Sequence, residues 1–234
     1  MEQSTRRAVA IALAVLVVLG ASAGAGAQSQ SREATIVTDA QTVFDEIMAA
    51  PDKQIPQAIL EKAEAIAVFP NLLRAAFVFG GQRGRGIISV RNRANGTWSA
   101  PAFLTITGGS WGAQIGGQSI DLVLVVVNER GVDNLLTNQF KIGGEASAAA
   151  GPIGRSAEAS TDVLMRAQIL SYSRSRGLFI GLAVNGSSVR ADVDANERMY
   201  GARLDSRAIA IERRGGSPAA IGAWRETLQK YCGK

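Results

Sequence analysis

The stretch "IDLVLVVVN", Ile120 to Asn128, decides the fold class of this chain. Its residues are apolar on both of the faces that alternate along an extended backbone, which predicts a central strand buried on both sides. With nine residues it is too short to cross a bilayer as a helix.

Short apolar runs on either side predict the rest of a sheet. The predicted strands are residues 75–80, 86–91, 102–107, 120–127, 167–173 and 178–184. Gly-, Ser- and Asn-rich turns separate them, and Asn95-Gly96 in "NRANGTWS" is a strong hairpin signal. By contrast, the pair Pro70-Asn71 is expected to end the extended run "AIAVFPN".

Helices are predicted near both ends of the chain. Residues 38–50 carry apolar side chains at helical spacing and end at Pro51, and a shorter helical stretch starts near Pro56. "ERGVDNLLTN" predicts one or two further turns, and "SPAAIGAWRETLQKY" predicts a helix capped by Ser217 with Pro218 in its first position. The expected fold is a single α+β domain with a mainly antiparallel, barrel-like or curved β-sheet core.

The first 27 residues differ in character from the rest. Arg6 and Arg7 precede the apolar run "AVAIALAVLVVL", and Ala25-Gly26-Ala27 follows, which is typical of a secretory signal peptide cleaved after Ala27. The alternative is a retained membrane anchor, because the 20 residues from Ala8 to Ala27 are uncharged. The expected organisation is a signal peptide at 1–27, a flexible lead-in at 28–35 and one domain at 36–234, in a bacterial periplasm or exterior.

Missing residue types exclude several functions. The chain has no histidine and one cysteine, Cys232, which removes the usual His and Cys zinc sites, the Ser-His-Asp and Cys-His nucleophile systems and any intrachain disulfide. No two carboxylates are paired by the sequence as acid and base, so we expect no catalytic residue and no cofactor. The net charge is +5, and +4 once Arg6, Arg7 and Glu2 leave with the leader. This excess suits anionic lipid but is too small to indicate nucleic acid.

The stretch "FVFGGQRGRGIISV", Phe77 to Val90, raises the question of a phosphate-binding loop. A Walker A loop requires Gly-Lys-Ser/Thr before a helix, and a dinucleotide fingerprint also opens a helix, whereas "GIISVR" is strand-like. The stretch therefore predicts a glycine-rich turn between two strands. A second such turn is expected in "YSRSRGLFIGLAVNGS". The glycines assigned to these turns are Gly80, Gly81, Gly84, Gly86 and Gly177.

Arginines accompany both predicted turns. Arg83 and Arg85 lie in the first, and Arg174 and Arg176 lie just before Gly177. Together they could hold a phosphate in bidentate fashion, and the alternative is a solvated polar face. "DVDANE", Asp192 to Glu197, begins like a calcium loop but lacks the glycine at position six and has Arg203 in place of the final glutamate. A capped turn is expected there, and no metal site.

In this order the motifs resemble the SYLF domain family. The resemblance rests on "KAEAIAVFP", "FVFGGQRGRGIISVR", "GTWSAPAFLTITGGSWGAQIGGQSIDLVLVV", "GGEASAAAGPIGRSAEA", "ILSYSRSRGLFIGLAVNGSSV" and "NERMYG", and it covers Ile55 to Leu204. It implies a β-rich α+β domain with affinity for phosphoinositides and other acidic phospholipids. Eukaryotic members also bundle actin with the help of sequence outside this core, and an exported bacterial chain would not meet actin.

The expected function is that of an exported, non-catalytic protein that recognises anionic phospholipid headgroups or a membrane surface. The expected headgroup contacts are Arg83, Arg85, Arg174 and Arg176. The alternative is a structural or protein-interaction module of the cell envelope with no lipid ligand. An enzyme acting on lipid or glycan would need a carboxylate pair that the sequence does not indicate.

Overall fold

The computed structural model describes residues 32–50, 54–76, 80–110, 116–137, 139–143, 147–153, 167–175, 178–180, 184–216 and 218–233. The strands in these ranges are β1 (Ala65–Ala76), β2 (Gly80–Val90), β3 (Ala102–Ser110), β4 (Gly116–Val126), β5 (Gln139–Lys141), β6 (Ala148–Ala150), β7 (Ile169–Ser175), β8 (Leu178–Ile180) and β9 (Ser187–Ala191). The helices in these ranges are α1 (32–48), α2 (Gln57–Leu60), α3 (Glu129–Leu135), α4 (Val193–Tyr200), α5 (Ser206–Ala210) and α6 (Ala219–Cys232).

All of these strands belong to one sheet. Their order is β5-β9-β3-β2-β1-β4-β7-β6, and β8 also pairs with β7. Every described pairing is antiparallel except that of β6 with β7. The sheet curls like half of a barrel, and together with the helices it forms a single α+β domain. The predicted fold class is confirmed.

The predicted central strand is β4. It pairs with β1 on one edge and β7 on the other, and Leu122–Val126 are buried on both faces. The hairpin predicted at Asn95-Gly96 is also present: Arg91 bridges to Trp98, and Gly96 has φ +71°. The apolar run and the turn signal therefore identified the centre of the sheet and one of its turns.

The prediction that Pro70-Asn71 ends its strand was wrong. β1 continues to Ala76 through a bulge, at which the register with β4 shifts between Phe69 and Leu72. Proline has no N–H to give to a ladder, and a bulge is one of the few places in a sheet that tolerate it. Asn71 adopts φ +52°, and its N–H donates to Asp121 Oδ1 at 3.1 Å, so the unpaired residue is held by a side chain of β4.

The glycine turn predicted from "GGQRGRG" is a strand instead. Gly80, Gly81, Gly84 and Gly86 all lie within β2, and Gly177 lies outside the described residues. The bulge in β1 explains two of the glycines because it brings bulky side chains over β2. A Cβ on Gly84 would lie 2.8 Å from Leu72 Cδ1, and one on Gly86 would collide with the Val68 carbonyl and lie 2.6 Å from the Phe69 ring.

Helix α1 begins at residue 32, earlier than predicted, so residues 32–35 are a helical turn and not a flexible lead-in. The reason is Glu33, which is buried and bonded to arginines of the domain. Further along α1, Phe44 packs edge to face on Trp224 of α6, with ring centroids 5.9 Å apart.

The C-terminal helix α6 is confirmed, and Ile221, Trp224 and Leu228 are buried along it. Pro218 is its N-cap residue and not its first helical residue. The predicted cap Ser217 and the predicted leader, with its alternative of a membrane anchor, lie outside the described residues. Within the described ranges, no helix combines the length and apolar character needed to cross a membrane.

Candidate functional site

The outer halves of β1 to β4 carry an exposed face with few side chains. Between β1 and β2, Leu73 pairs with Arg83 and Ala75 pairs with Gly81. On the outer sides of these two strands, Gly81 pairs with Gly109 of β3, and Ala75 pairs with Gly117 of β4. Partners across antiparallel strands share a face, as do residues two apart on one strand. We call the surface formed by Leu73, Gly81, Arg83, Gly109 and Gly117 the open face.

The open face is flat because three of its members are glycines with space above them. A Cβ on Gly109 or Gly117 would meet nothing within 4 Å, and one on Gly81 would meet only a carbonyl oxygen at 3.8 Å. Leu73 projects from this surface with 66% of its area exposed, the largest value for a bulky apolar side chain in the described ranges. An isolated exposed leucine is ordinary, but this one lies beside an arginine, and the described residues around the pair are glycines and the small polar side chains of Thr107 and Ser119.

Arg83 is the predicted headgroup contact that stays available. It is exposed, pairs with Leu73 across β1 and β2, and forms no ion pair with another described residue. Its guanidinium can therefore bind an external anion without giving up an internal carboxylate.

Arg85, two residues along β2, is already engaged. It donates to Glu33 at 2.8 Å and to Asp192 at 3.1 Å, and Arg198 donates to the same oxygen of Glu33 at 2.9 Å. Burial raises the pKa of the Glu33 carboxyl, but the hydrogen bonds and charges of Arg198 and Arg85 outweigh burial and hold that pKa below its ordinary value. In the described structure Arg85 anchors the start of α1.

Arg174 of β7 has a similar role at the other end of α1. It donates to Glu46 of α1 and to Asp121 of β4, the second at 3.2 Å, and only 17% of its side chain is exposed. Burial lowers the pKa of Arg174, yet the two carboxylates outweigh burial and raise that pKa. Arg176 lies outside the described residues.

The structure therefore does not bring the described arginines into one phosphate grip. β2 and β7 are separated by β1 and β4, so the backbones of Arg83 and Arg174 are about 14 Å apart across the sheet at the usual strand spacing. Carboxylates already hold the guanidinium groups of Arg174 and Arg85, so neither group is free to join Arg83 on one phosphate. Ion pairs with Glu33 and Glu46, which are remote in sequence, occupy Arg85 and Arg174, and nothing in the local sequence signals these pairings.

A groove of about 580 Å³ separates the inner end of the open face from α1 and α4. Its charged lining consists of Arg83, Arg85, Arg198, Asp39, Asp192 and Asp194. Charges of both signs balance here, so the groove as a whole does not favour an anion. The unpaired cation is Arg83, where the groove meets the open face.

The segment that resembles a calcium loop caps a helix, as expected. Asp192 is the N-cap residue of α4, and its carboxylate accepts from Ala195 N at 3.0 Å. Asn196 is buried, and its side-chain oxygen accepts from Phe103 N at 2.8 Å. In the part of the chain that the structure describes, no three Cys, Asp or Glu side chains gather into a potential metal site.

The sequence did not point to Leu73, Gly109 or Gly117. Their pairing depends on the register of four strands, and the bulge in β1 shifts that register. The glycine pairs "GG" near the end of β3 and at the start of β4 were the available signal, because bare backbone at neighbouring strand ends indicates an uncovered sheet.

Comparison with known proteins gives consistent matches. Residues 107–231 match the family model described as "Ysc84: Las17-binding protein actin regulator". Protein YSC84 of Saccharomyces cerevisiae is 35% identical over 172 residues, which are 72% of this chain and 36% of that protein. LAS seventeen-binding protein 3 of the same yeast is 33% identical over 177 residues, 74% of this chain and 38% of that protein.

A vertebrate relative matches as well. SH3 domain-containing YSC84-like protein 1 of Xenopus laevis is 35% identical over 162 residues, 69% of this chain and 48% of that protein. This chain thus spans about a third to a half of the length of these relatives. The shared region corresponds to one part of each longer protein.

Proposed function

This chain belongs to the Ysc84 family, the family of SYLF domains, and on that premise we propose that it is a non-catalytic module that binds anionic phospholipid surfaces through its open face. The observation that carries the proposal is the cross-strand pair of Leu73 and Arg83, which lies on a sheet surface rich in glycine. The guanidinium of Arg83 can bind a lipid phosphate, and the adjacent Leu73 side chain can insert among the acyl chains below it.

The expected strength of this contact follows from its parts. One basic residue near an anionic membrane contributes about 1 kcal/mol. Burial of a leucine side chain contributes about 1.5–3 kcal/mol when complete. The flat glycine surface adds area without steric obstruction, and the net charge of +4 that remains without the leader adds general attraction. The sum describes reversible, salt-sensitive binding to a surface.

A non-catalytic role agrees with the residues available. The chain has no histidine, and Arg85, Arg198 and Asp192, which lie near the open face, are paired in structural contacts. The names of the matched relatives describe Las17 binding and SH3 domains. A binding module is the role that both the residues and those names support.

The second candidate is a protein-interaction surface without a lipid ligand. It is favoured by the flatness of the open face, on which a partner's backbone could lie directly on Gly81, Gly109 and Gly117. The two candidates differ in their response to salt, since attraction to an anionic surface weakens steeply with ionic strength. Salt-insensitive capture of one protein partner, with no preference for anionic vesicles, would favour this second candidate.

Vesicle co-sedimentation tests the first candidate. We expect binding to phosphatidylcholine vesicles that contain phosphatidylglycerol, little binding to pure phosphatidylcholine, and loss of binding as salt rises. Arg83→Gln should weaken binding about five-fold and Leu73→Ser about ten-fold. Arg130→Gln, which removes an exposed arginine of α3 and the same formal charge, is the matched control. Equal losses of vesicle binding in Arg83→Gln and Arg130→Gln would show that only the net charge matters and would contradict a specific role for Arg83.

Export is part of the same proposal. It rests on the leader-like residues 1–27, and it predicts a mature chain that starts at Gln28. N-terminal sequencing of the protein recovered from a periplasmic fraction tests it. Recovery of a chain that retains Met1 in a membrane fraction would support the anchor alternative.

A further inference from the structure

A second cavity lies at the opposite end of β1 and β2. It has a volume of about 270 Å³ and lies between Val90 at the end of β2, the following hairpin, α3 and the segment after α5. Four arginines contribute to its lining: Arg91, Arg93, Arg207 and Arg213. Three carboxylates also contribute: Glu64, Glu129 and Asp133. The lining thus carries an excess of positive charge.

The three carboxylates are committed to only two of the arginines. Arg93 bonds to Glu64 and to Glu129, each at 3.0 Å. Arg207 bonds to Asp133 at 2.9 Å. The excess positive charge therefore belongs to the remaining pair, Arg91 and Arg213.

Arg91 has a structural role that uses part of its guanidinium. It donates to the carbonyls of Leu60 at 2.8 Å and Cys232 at 2.7 Å, and it stacks on Trp98 at 5.0 Å. Its Nε is buried and has no hydrogen-bond partner. No described carboxylate neutralises Arg91, so its charge contributes to the cavity.

Arg213 is the less satisfied of the two. It donates only to the carbonyls of Val90 at 3.4 Å and Thr97 at 3.3 Å, which are long for hydrogen bonds, and no described carboxylate pairs with it. Its backbone has φ +57°, which disfavours a residue with a side chain. Burial lowers the pKa of Arg213, and the charge of Arg225 on α6 lowers it further.

Arg225 is half-buried, and its Nε has no hydrogen-bond partner. The fold thus holds Arg213 and Arg225 within electrostatic reach of each other without a described counter-ion. Like charges in partly buried surroundings repel, and a buried donor without a hydrogen-bond partner destabilises the fold. An anion bound in the cavity beside Arg213 would offset this repulsion.

We propose that this cavity is a binding site for a phosphate-type oxoanion, a free phosphate or a phosphate monoester, held by Arg213 and attracted by Arg91. A planar guanidinium offers paired N–H donors that match two oxygens of a phosphate. The volume of about 270 Å³ admits a phosphate group with a small substituent. Val90 lies seven residues from Arg83 on β2, about 23 Å away, so the site is separate from the open face and does not depend on the proposed function.

Thermal unfolding in phosphate, compared with chloride at equal ionic strength, tests the site. A ligand that binds only the folded state stabilises it increasingly with its concentration, so the midpoint should rise with phosphate and not with chloride. The decisive variant is Arg213→Gln. In chloride it should be about as stable as the wild type, because Arg213 forms only two long hydrogen bonds and no ion pair with a described carboxylate, while its affinity for phosphate falls at least ten-fold.

The matched control is Arg214→Gln, which removes a neighbouring exposed arginine whose contact with Glu212 is 3.7 Å long. It should keep the wild-type response to phosphate. Isothermal titration calorimetry with inorganic phosphate on Arg213→Gln gives an independent measure, and an affinity loss of at least ten-fold is expected. Equal responses to phosphate and chloride in the wild type, or an unchanged phosphate response in Arg213→Gln, would overturn the proposal.

Vesicles that contain phosphatidic acid, a phosphate monoester lipid, distinguish the sources of the anion. If Arg213→Gln weakens binding to these vesicles as well as to free phosphate, the site takes a lipid headgroup. If only free phosphate is affected, the ligand is a soluble phosphate. Both results support the site, and neither depends on Arg83, which separates this test from that of the open face.

Discussion

Arg85 of β2 and Glu33 of α1 form an ion pair of 2.8 Å between the sheet and the first turn of the helix. The Glu33 side chain is only 1% exposed. Arg198 of α4 donates to the same carboxylate oxygen. Three elements remote in sequence therefore meet on one buried charge. The first turn of α1 is held in place by this contact.

Replacing Glu33 by Gln should destabilise the domain by about 2–4 kcal/mol, because Arg198 would lose its ion pair and Arg85 would keep only Asp192. Urea unfolding followed by tryptophan fluorescence measures the change. Glu226→Gln, an exposed carboxylate of α6, is the control and should change stability by less than about 0.5 kcal/mol. Equal effects in the two variants would remove the special role of Glu33.

The same carboxylate predicts a pH dependence of stability. The pKa of Glu33 is lower in the folded chain than its ordinary 4.5, so its stabilising contribution is complete above that value and is lost as pH falls through the folded pKa. The free energy of unfolding should therefore drop more steeply below about pH 4.5 in the wild type than in Glu33→Gln. Parallel curves for the two proteins would contradict the assignment.

Close approach of β1 to β2 predicts opposite outcomes for two glycines. Gly86→Ala should cost about 2–3 kcal/mol, since its Cβ would collide with the Val68 carbonyl and the Phe69 ring. Gly109→Ala, also in a strand but with nothing within 4 Å, should stay within about 0.5 kcal/mol of the wild type. Chemical denaturation of both variants measures the difference, and a tolerated Gly86→Ala would show that the bulge relaxes freely.

These glycines also show how far the sequence predicts the fold. The stretch from Ile120 to Asn128 predicts the central strand because a strand that is buried on both faces has a continuous apolar sequence. "GGQRGRG" misled because dense glycine usually marks a turn, whereas in β2 it makes room for Leu72 and Phe69 of the neighbouring strand. That requirement arises only after pairing, so no local pattern contains it.

The candidate site was likewise predicted only in part from the sequence. Arg83 was selected from its position in the glycine-rich stretch, and it is exposed as a ligand contact must be. Arg85 and Arg174 were selected by the same reasoning, but their partners Glu33 and Glu46 lie 52 and 128 residues away. Contacts over such separations depend on tertiary structure. The sequence identified basic residues, and the fold decided which of them are available.

The single cysteine should be unreactive in the native protein. Burial raises the pKa of the Cys232 thiol to about 12, and the charge of Arg91 opposes this rise only in part. A thiol with a pKa of about 12 in place of 9.0 holds about 1,000-fold less thiolate at pH 8. Modification by a disulfide reagent at pH 8 should therefore be slower by at least that factor in buffer than in urea. Rapid modification in buffer would show that the end of α6 opens.

Because Cys232 is inert, a single label can be placed on the open face, where it reports whether this surface meets the bilayer. Gly109→Cys, labelled with an environment-sensitive fluorophore, should shift its emission to the blue and become protected from an aqueous quencher when phosphatidylglycerol vesicles are added. The same label at Asn95→Cys, on the exposed hairpin at the far end of β2, should not respond. A response at Asn95 alone, or at neither position while the protein still sediments with the vesicles, would contradict binding through the open face.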